Sequence, residues 1–413
     1  MQTTSYDDGQ ATSGRDCADR TLDQSDSGTN DHFVTIVMPA LNEERYIAQA
    51  ISSILPPPDE AIDQGAADTG GAGDAYPAVK NALACELLVM DGGSTDRTRE
   101  IVQEMSARDP RIRLIANPKK VQSAAVNLAA READPRSRCL VRADCHAVYP
   151  ENYAADLLTT LRRENVSSVV VAMRTCGTSC FQKGIAAAQN SRLGNGGSAH
   201  RILGKCGLVD HGHHAAFDRE AFLTQGGYDE NCAFNEDAEF DQRLIKTGGT
   251  IYLNGNIAID YYPRDSLFAL ARQYANHGWG RANTFLRHGG RPKLRQVLPV
   301  LILAACLGAV LLTLLTFNTV FLLIPAGYFA AATAFGLLLA YQTRCACTSL
   351  AGPAAIVMHM SWATGFAKRV MTEAWARVRG NKTAAFEQDQ KLEAFDRGVK
   401  AKNAATGRAL RTS

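Results

Sequence analysis

The sequence predicts an α/β fold followed by a membrane-embedded end, on three observations. Short apolar runs alternate with amphipathic helical stretches between residues 32 and 265. Polar, glycine-bearing turns close several of those apolar runs. No Lys, Arg, Asp, Glu or His occurs between Arg295 and Arg344.

In chain order, residues 1–31 carry Ser, Thr, Asp and Gly with little to bury, the composition of a disordered tail. Runs 33–38, 86–90, 112–115 and 139–142 read as strands, and 43–55, 96–107 and 121–133 as the helices between them. Strand–helix–strand order implies a parallel sheet with helices on both faces, and ligands of such sheets sit beyond the carboxyl ends of the strands. Residues 56–80 open on three prolines and continue in Gly, Ala and Asp, which reads as a surface loop inserted in the 32–265 domain.

The charge-free stretch 296–343 would be roughly 70 Å long as one helix, against a bilayer core of about 30 Å. A hairpin of two spans, 297–316 and 320–341, turning near Asn318, resolves the mismatch. Pro325 falls in the first turns of the second helix, where it is tolerated. Residues 344–367 read as a third span or an interfacial helix, interrupted by Gly352, Pro353 and His359. The tail 368–413 carries 11 Lys/Arg against 5 acids, and Arg287, Arg291, Lys293 and Arg295 precede the hairpin. Positive flanks prefer the cytosol, so two crossings are expected.

Of the 413 residues 46% are hydrophobic and 21% charged, and a net charge of +2 excludes bulk attraction to nucleic acid. The 11 cysteines are scattered without a repeated CxxC pair, the pattern of reduced, cytosol-facing thiols rather than a zinc module or disulfide framework. Residues 1–30 hold no apolar segment of the kind a signal peptide needs.

Chemistry is sought at the strand ends. The first run closes with Pro39-Ala-Leu-Asn42-Glu43, where Pro39 is expected to stop the ladder and Asn42 to cap the next helix or face a ligand. The second closes with Asp91-Gly-Gly-Ser-Thr-Asp96, either a tight turn or a cradle whose glycines admit a ligand to the backbone. It is not GxGxxG, so a dinucleotide fold is not indicated. Asp144 and His146 lie two apart after the fourth run, so in extended backbone both point to one side. They read as a divalent-cation site or as a surface Asp beside a packed His. Glu236 and Asp237 open a helix, where acids favour the dipole or supply a general base. His211, His213 and His214 suggest contacts to a diphosphate or an acceptor more than a structural metal, because a strand would alternate their directions.

Taken in order, Pro39…Asn42-Glu43, Asp91…Asp96, Asp144-x-His146, Gly226-Gly-Tyr-Asp-Glu230 and Glu236-Asp237 resemble the inverting nucleotide-sugar glycosyltransferases of family 2. The segments 190–201, Asp210-His-Gly-His-His214, Asn235-Glu-Asp-Ala-Glu239, Tyr261-Tyr-Pro-Arg264 and Gln273-Tyr…Gly280-Arg-Ala282 narrow the likeness to the ExoA type, from succinoglycan exopolysaccharide synthesis. The resemblance implies a GT-A fold: a Rossmann-like mixed sheet binding a nucleotide sugar, followed by C-terminal transmembrane helices. It implies that Pro39, Asn42, Glu43, Asp91, Asp96 and Asp144 meet the UDP-sugar. It also implies that Asp144 and His146 hold Mg²⁺ or Mn²⁺, and that Asp237, with Glu236 beside it, is the base. His211, His213, His214, Gln273 and Arg281 fall on the acceptor side, Gln273 and Arg281 at a spacing unlike that of processive synthases.

The expected activity is non-processive, metal-dependent transfer of glucose from UDP-glucose to a polyprenyl-diphosphate-linked saccharide, with inversion. Residues 266–295 would lie among the lipid headgroups at the inner (plasma) membrane, with the catalytic domain on the cytosolic side and no nucleic-acid partner. Transfer to a polyprenyl monophosphate, or a non-catalytic nucleotide-sugar-binding membrane subunit, are the alternatives.

Overall fold

The computed structural model describes residues 33–55, 83–145, 147–232, 234–289 and 292–379. The expected tail 1–31, the insertion 56–80, Arg291, His146 and the chain beyond 379 lie outside the described residues. The chain divides into two compact units, the first comprising residues up to 176, 197–232 and 236–262.

The first unit runs β1 (Val34–Ala40), α1 (Ile47–Ile54), β2 (Cys85–Asp91), α2 (Thr98–Ser106), β3 (Ile112–Ala116), α3 (Gln122–Glu132), β4 (Cys139–Arg142), α4 (Tyr153–Arg163) and β5 (Ser168–Thr175). The chain then passes through α5 (Cys180–Asn190) and α6 (Arg192–Asn195) of the second unit. It returns as β6 (Cys206–Leu208), β7 (His213–Asp218), α7 (Arg219–Thr224), α8 (Glu236–Lys246) and β8 (Ile251–Tyr261). The described strands form one mixed sheet in the order β3-β2-β1-β4-β7-β5-β8-β6. β3, β2, β1 and β4 are parallel, and β7 is antiparallel to both β4 and β5.

Residues alternate between two cores, as a sheet covered on both faces requires. Ile36, Met38, Leu87, Val89 and Val141 pack with Ile47, Ile51 and Leu157 of α1 and α4. Val37, Leu88, Met90 and Leu140 pack with Val126, Phe222, Phe240 and Tyr228. Burying each large side chain contributes about 1.5–3 kcal/mol. By the same period of two, Arg142 falls on the face of Leu140, beside the aromatic cluster.

Pro39 does not stop the ladder: β1 pairs with β2 through Pro39↔Met90 to Ala40↔Asp91. The Val37 carbonyl accepts from the Ala143 N–H, so alternate residues of β1 face β4 and the missing proline N–H falls on that side. There the pairing already ends at Val37↔Arg142.

The second unit holds α5, α6, α9 (Leu267–His288), α10 (Leu294–Thr316), α11 (Leu323–Thr343) and α12 (Ala351–Val378). α10 and the stretch 319–343 are long and apolar enough to cross a bilayer. They expose Leu311, Leu314, Leu337 and Leu338, as lipid-facing helices do. Asn318 caps the turn between them, accepting from the Val320 N–H (3.0 Å). α12 runs on past 367 to Val378 and lies close against α9, since a Cβ on Gly278 would stand 2.0 Å from the Trp362 carbonyl oxygen. Ala354 and Met358 of α12 share a core with Ile185 and Leu270.

Cys180 and Cys347 form a disulfide, which corrects the expectation that all thiols are reduced. The pair is 167 residues apart, so no local spacing marks it.

Candidate active site

Two turns at the carboxyl ends of β1 and β2 are tied together. The Asn42 N–H donates to Ser94 Oγ (3.0 Å), and Asn42 Oδ1 accepts from the Thr95 N–H (2.8 Å). The Glu43 N–H donates to Thr98 Oγ1 (2.7 Å) and the Glu44 N–H to Asp96 Oδ2 (3.1 Å). Asp96 Oδ1 also accepts from the Thr98 N–H (3.0 Å) and hydroxyl (2.6 Å). Asn42 and Asp96 thus shape the turns through their own side chains. Asp91, 3% exposed, accepts from the Gly93 and Ser94 N–H groups at 3.2 and 3.0 Å, holding the glycine turn open beside it. The Arg99 Nε lies 3.6 Å from Asp91 Oδ2.

Asp144 follows β4 by two residues, two strands from Asp91, a span of about 10 Å at ordinary strand spacing. Its Oδ1 accepts from Gln122 Nε2 (3.2 Å), and His213 Nε2 stands 4.0 Å from its Oδ2. Among the described residues no three His, Cys, Asp or Glu side chains converge as a ready-made metal cage.

Asp237 lies in the first turn of α8. Its Oδ1 accepts from Tyr228 OH (2.7 Å) and from Arg142 Nη1 (2.8 Å). Arg142 also stands 3.8 Å from Glu236 Oε1 and 3.8 Å from Asp144 Oδ1, so one buried guanidinium faces three carboxylates. Burial pushes the Asp237 pKa up, but the Arg142 charge, the neighbouring histidines and the Tyr228 hydrogen bond together outweigh it and hold the carboxyl well below the usual range. Glu236 is pushed up to about 6 by burial and by the Asp237 charge. The neighbours therefore separate into one firmly ionised carboxylate and one that titrates near neutrality.

Tyr228 is itself fixed. Asn127 Nδ2 donates to the Tyr228 carbonyl and Asn127 Oδ1 accepts from its N–H, both at 2.8 Å. Gly227 adopts φ +69°, and a Cβ there would stand 2.2 Å from Asn127 Oδ1, so this position takes glycine. Arg243 pairs with Glu239 at 2.7 Å and donates to the Gly227 carbonyl at 2.7 Å, binding α8 to the same turn.

His213 and His214, adjacent in β7, point to opposite sides as strand alternation requires, while His211, ahead of the strand, shares Asp241 with His214. His214, fully buried, places Nε2 2.7 Å from Asp241 Oδ1 and Nδ1 2.7 Å from Ser168 Oγ. His211 Nδ1 lies 2.6 Å from Asp241 Oδ2. His213 points the other way, toward Asp144, and burial pushes its pKa down to about 4, so the ring is neutral at pH 7. Gln273 and Arg281 lie on α9 in the second unit.

Arg142, Tyr228, Asn127 and Asp241 escaped the sequence reading as site-building residues. Tyr228 sat in a motif already singled out, and Asp241 lies one helical turn beyond Asp237. Arg142 is a single charge at the end of an apolar strand, two residues before Asp144.

The family model "Glycosyl transferase family 2" matches residues 35–224. Succinoglycan biosynthesis protein ExoA of Rhizobium meliloti (strain 1021) is 40% identical over 337 residues, which cover 81% of this chain and 94% of that protein. The chain belongs to glycosyltransferase family 2. It is a glycosyltransferase, with the mixed GT-A sheet followed by two helices able to span a membrane. A Methanococcus voltae protein, dolichyl N-acetyl-alpha-D-glucosaminyl phosphate 3-beta-D-2,3-diacetamido-2,3-dideoxy-beta-D-glucuronosyltransferase, is 23% identical over 60% of this chain and 72% of its own length. Among solved structures, the mannosyltransferase PcManGT from Pyrobaculum calidifontis, in complex with GDP-Man and Mn²⁺, is 18% identical with a TM-score of 0.47. That match covers 82% of this chain and 87% of that one.

Proposed function

We propose that the protein is an inverting, non-processive, metal-dependent transferase that moves glucose from UDP-glucose to a polyprenyl-diphosphate-linked saccharide in succinoglycan-type exopolysaccharide synthesis. The observation that carries this reading is the oriented carboxylate of Asp237, which shares the buried Arg142 guanidinium with Asp144. The near-complete coverage of the ExoA relative supports the pathway. The dolichyl-linked sugar phosphate in the Methanococcus relative's name supports a lipid-linked saccharide as acceptor.

In this reading the turns after β1 and β2 hold the nucleotide through Pro39, Asn42, Glu43, Asp91 and Asp96. Asp237 takes the proton of the attacking hydroxyl in one displacement, so the anomeric centre inverts and no protein nucleophile is needed. A divalent cation fits at Asp144: Asp144 Oδ2 and His213 Nε2 are 4.0 Å apart, the span of two donors each about 2 Å from a shared ion. With so few protein donors, diphosphate oxygens and water would complete its shell. When bound, Mg²⁺ or Mn²⁺ supplies Lewis-acid neutralisation of the departing diphosphate. His146, two residues after Asp144 in sequence, is the further candidate ligand.

His211 in the first unit, and Gln273 and Arg281 in the second, are assigned acceptor contacts; His214, fully buried between Asp241 and Ser168, cannot meet the acceptor as expected and instead supports Asp241. The two apolar helices suit attachment to the inner membrane, with the catalytic unit facing the cytosol, where UDP-sugars are made.

Membranes containing the full chain, incubated with labelled nucleotide sugars and extracted with organic solvent, test the reading. Label from UDP-glucose should enter a diphosphate-linked saccharide lipid. Label confined to a monophosphate carrier overturns the assigned acceptor, and no transfer from any nucleotide sugar overturns the donor.

A further inference from the structure

The catalytic reading leaves one buried charge without a task. The Arg142 side chain is 6% exposed and sits at the edge of the aromatic cluster, its guanidinium carbon 5.9 Å from the centre of the Tyr228 ring. Taking a guanidinium out of water costs several kcal/mol, and replacing a buried ion pair as a whole by well-packed apolar residues is commonly at least as stabilising. Leu140, on the same face of β4, shows that this side of the sheet accepts an apolar side chain. Fold stability alone therefore does not require a charged pair here, although Arg142 compensates the acids once they are present.

Its contacts point to a task. Arg142 Nη1 and Tyr228 OH converge on one oxygen of Asp237, Oδ1, at 2.8 and 2.7 Å, and stand 3.2 Å from each other. Two donors on one oxygen fix the rotation of the carboxylate. The other oxygen, Oδ2, has no hydrogen-bond donor among the described residues, and the side chain is 18% exposed. Arg142 Nε is buried without an acceptor, so the guanidinium is held in place by its Nη contacts rather than satisfied all round.

We infer that Arg142 is a positioning residue for the transfer reaction, which together with Tyr228 turns Asp237 so that Oδ2 is the oxygen presented to the acceptor hydroxyl. The inference rests on the reading of Asp237 as the base. Neither Arg142 nor Tyr228 needs to touch substrate; each acts through the carboxylate. Loss of aim lowers turnover and leaves donor binding in place, because a misdirected base affects only the proton transfer.

The test is steady-state transfer by the full chain in membranes, comparing wild type with Arg142→Met, Arg142→Lys and Tyr228→Phe. Arg142→Met is expected to lower kcat about 100-fold or more while the KM for the nucleotide sugar moves less than about threefold. Arg142→Lys, which restores one donor and the charge, should recover at least about tenfold of that loss, and Tyr228→Phe should lower kcat about tenfold with KM unchanged. A kcat for Arg142→Met within about threefold of wild type overturns the inference, as does a loss carried wholly by KM. If Arg142→Met does not accumulate as folded protein, Tyr228→Phe decides, and an unchanged kcat there overturns it. Absence of transfer by the wild-type chain would remove the proposed function together with this inference, whereas wild-type transfer with an unaltered Arg142→Met removes the inference alone.

Discussion

Arg142 Nη1 lies 2.8 Å from Asp237 Oδ1, and the same guanidinium stands 3.8 Å from both Glu236 and Asp144. One cation thus organises acids drawn from the end of β4 and the start of α8. It leaves Asp237 ionised and Glu236 able to titrate near neutrality.

That separation predicts the shape of the pH profile. With Asp237 as base, transfer should continue below pH 6, because its carboxyl is held well below the usual range by Arg142. Glu236, raised to about 6, would impose a loss of rate as pH falls through 6 if it were the base. The pH dependence of kcat/KM, measured with wild type and Glu236→Gln, checks this: an acid limb near 6 that vanishes with Glu236→Gln contradicts the assignment to Asp237.

The cation site makes a second prediction. Asp144→Ala should weaken Mn²⁺-dependent UDP binding about tenfold or more, and His213→Ala should weaken it less, as removal of one ligand or its partner commonly does. Titrating Mn²⁺ against UDP by calorimetry measures it. Unchanged Mn²⁺ dependence in Asp144→Ala contradicts the metal role.

Asp241 carries a third prediction, about stability. It holds His214 and His211 at 2.7 and 2.6 Å in a buried position, so Asp241→Asn should cost about 3 kcal/mol. Burial would lower the His214 pKa, but the Asp241 charge and hydrogen bond raise it above 6.5. The pair therefore contributes fully below pH 6.5, and its contribution is lost as pH rises through the folded-state value. Denaturant unfolding of wild type and Asp241→Asn at several pH values should show a gap that narrows toward alkaline pH. A gap that widens contradicts the charged pair.

Gly227 supplies a fourth. Alanine there meets φ +69° and a 2.2 Å contact with Asn127 Oδ1, so Gly227→Ala should destabilise by about 2–4 kcal/mol and loosen Tyr228. A thermal midpoint equal to that of wild type contradicts the fit.

Much of the fold was legible because a two-faced sheet writes itself as short apolar runs. Ile36, Val37 and Met38 alternate between the two cores, yet all three are apolar, so the strand shows as a continuous run. The charge-free stretch was legible for the same kind of reason: helices long and apolar enough to cross a bilayer show as an unbroken apolar run, with Leu311 and Leu314 left exposed. The insertion of antiparallel β7 between β4 and β5 was not legible, because strand order depends on pairing between distant segments. The Cys180–Cys347 bond was hidden likewise, and Pro39 misled because its missing N–H lies on a side of β1 where pairing had already ended. The acids at the strand ends were visible as motifs. The residues that aim them, Arg142 and Asn127, were not, since a lone Arg or Asn carries no periodic signal and gains meaning only from what it touches.

The most direct measurement is single-turnover transfer of labelled glucose into solvent-extractable lipid by wild type and Asp237→Asn, with UDP affinity measured in parallel. Asparagine keeps the size of the side chain and an oxygen for Arg142 and Tyr228, and removes only the basic group. Loss of transfer by about 1,000-fold or more, with UDP affinity within about threefold, is the expected result. Transfer by Asp237→Asn at the wild-type rate would contradict the account.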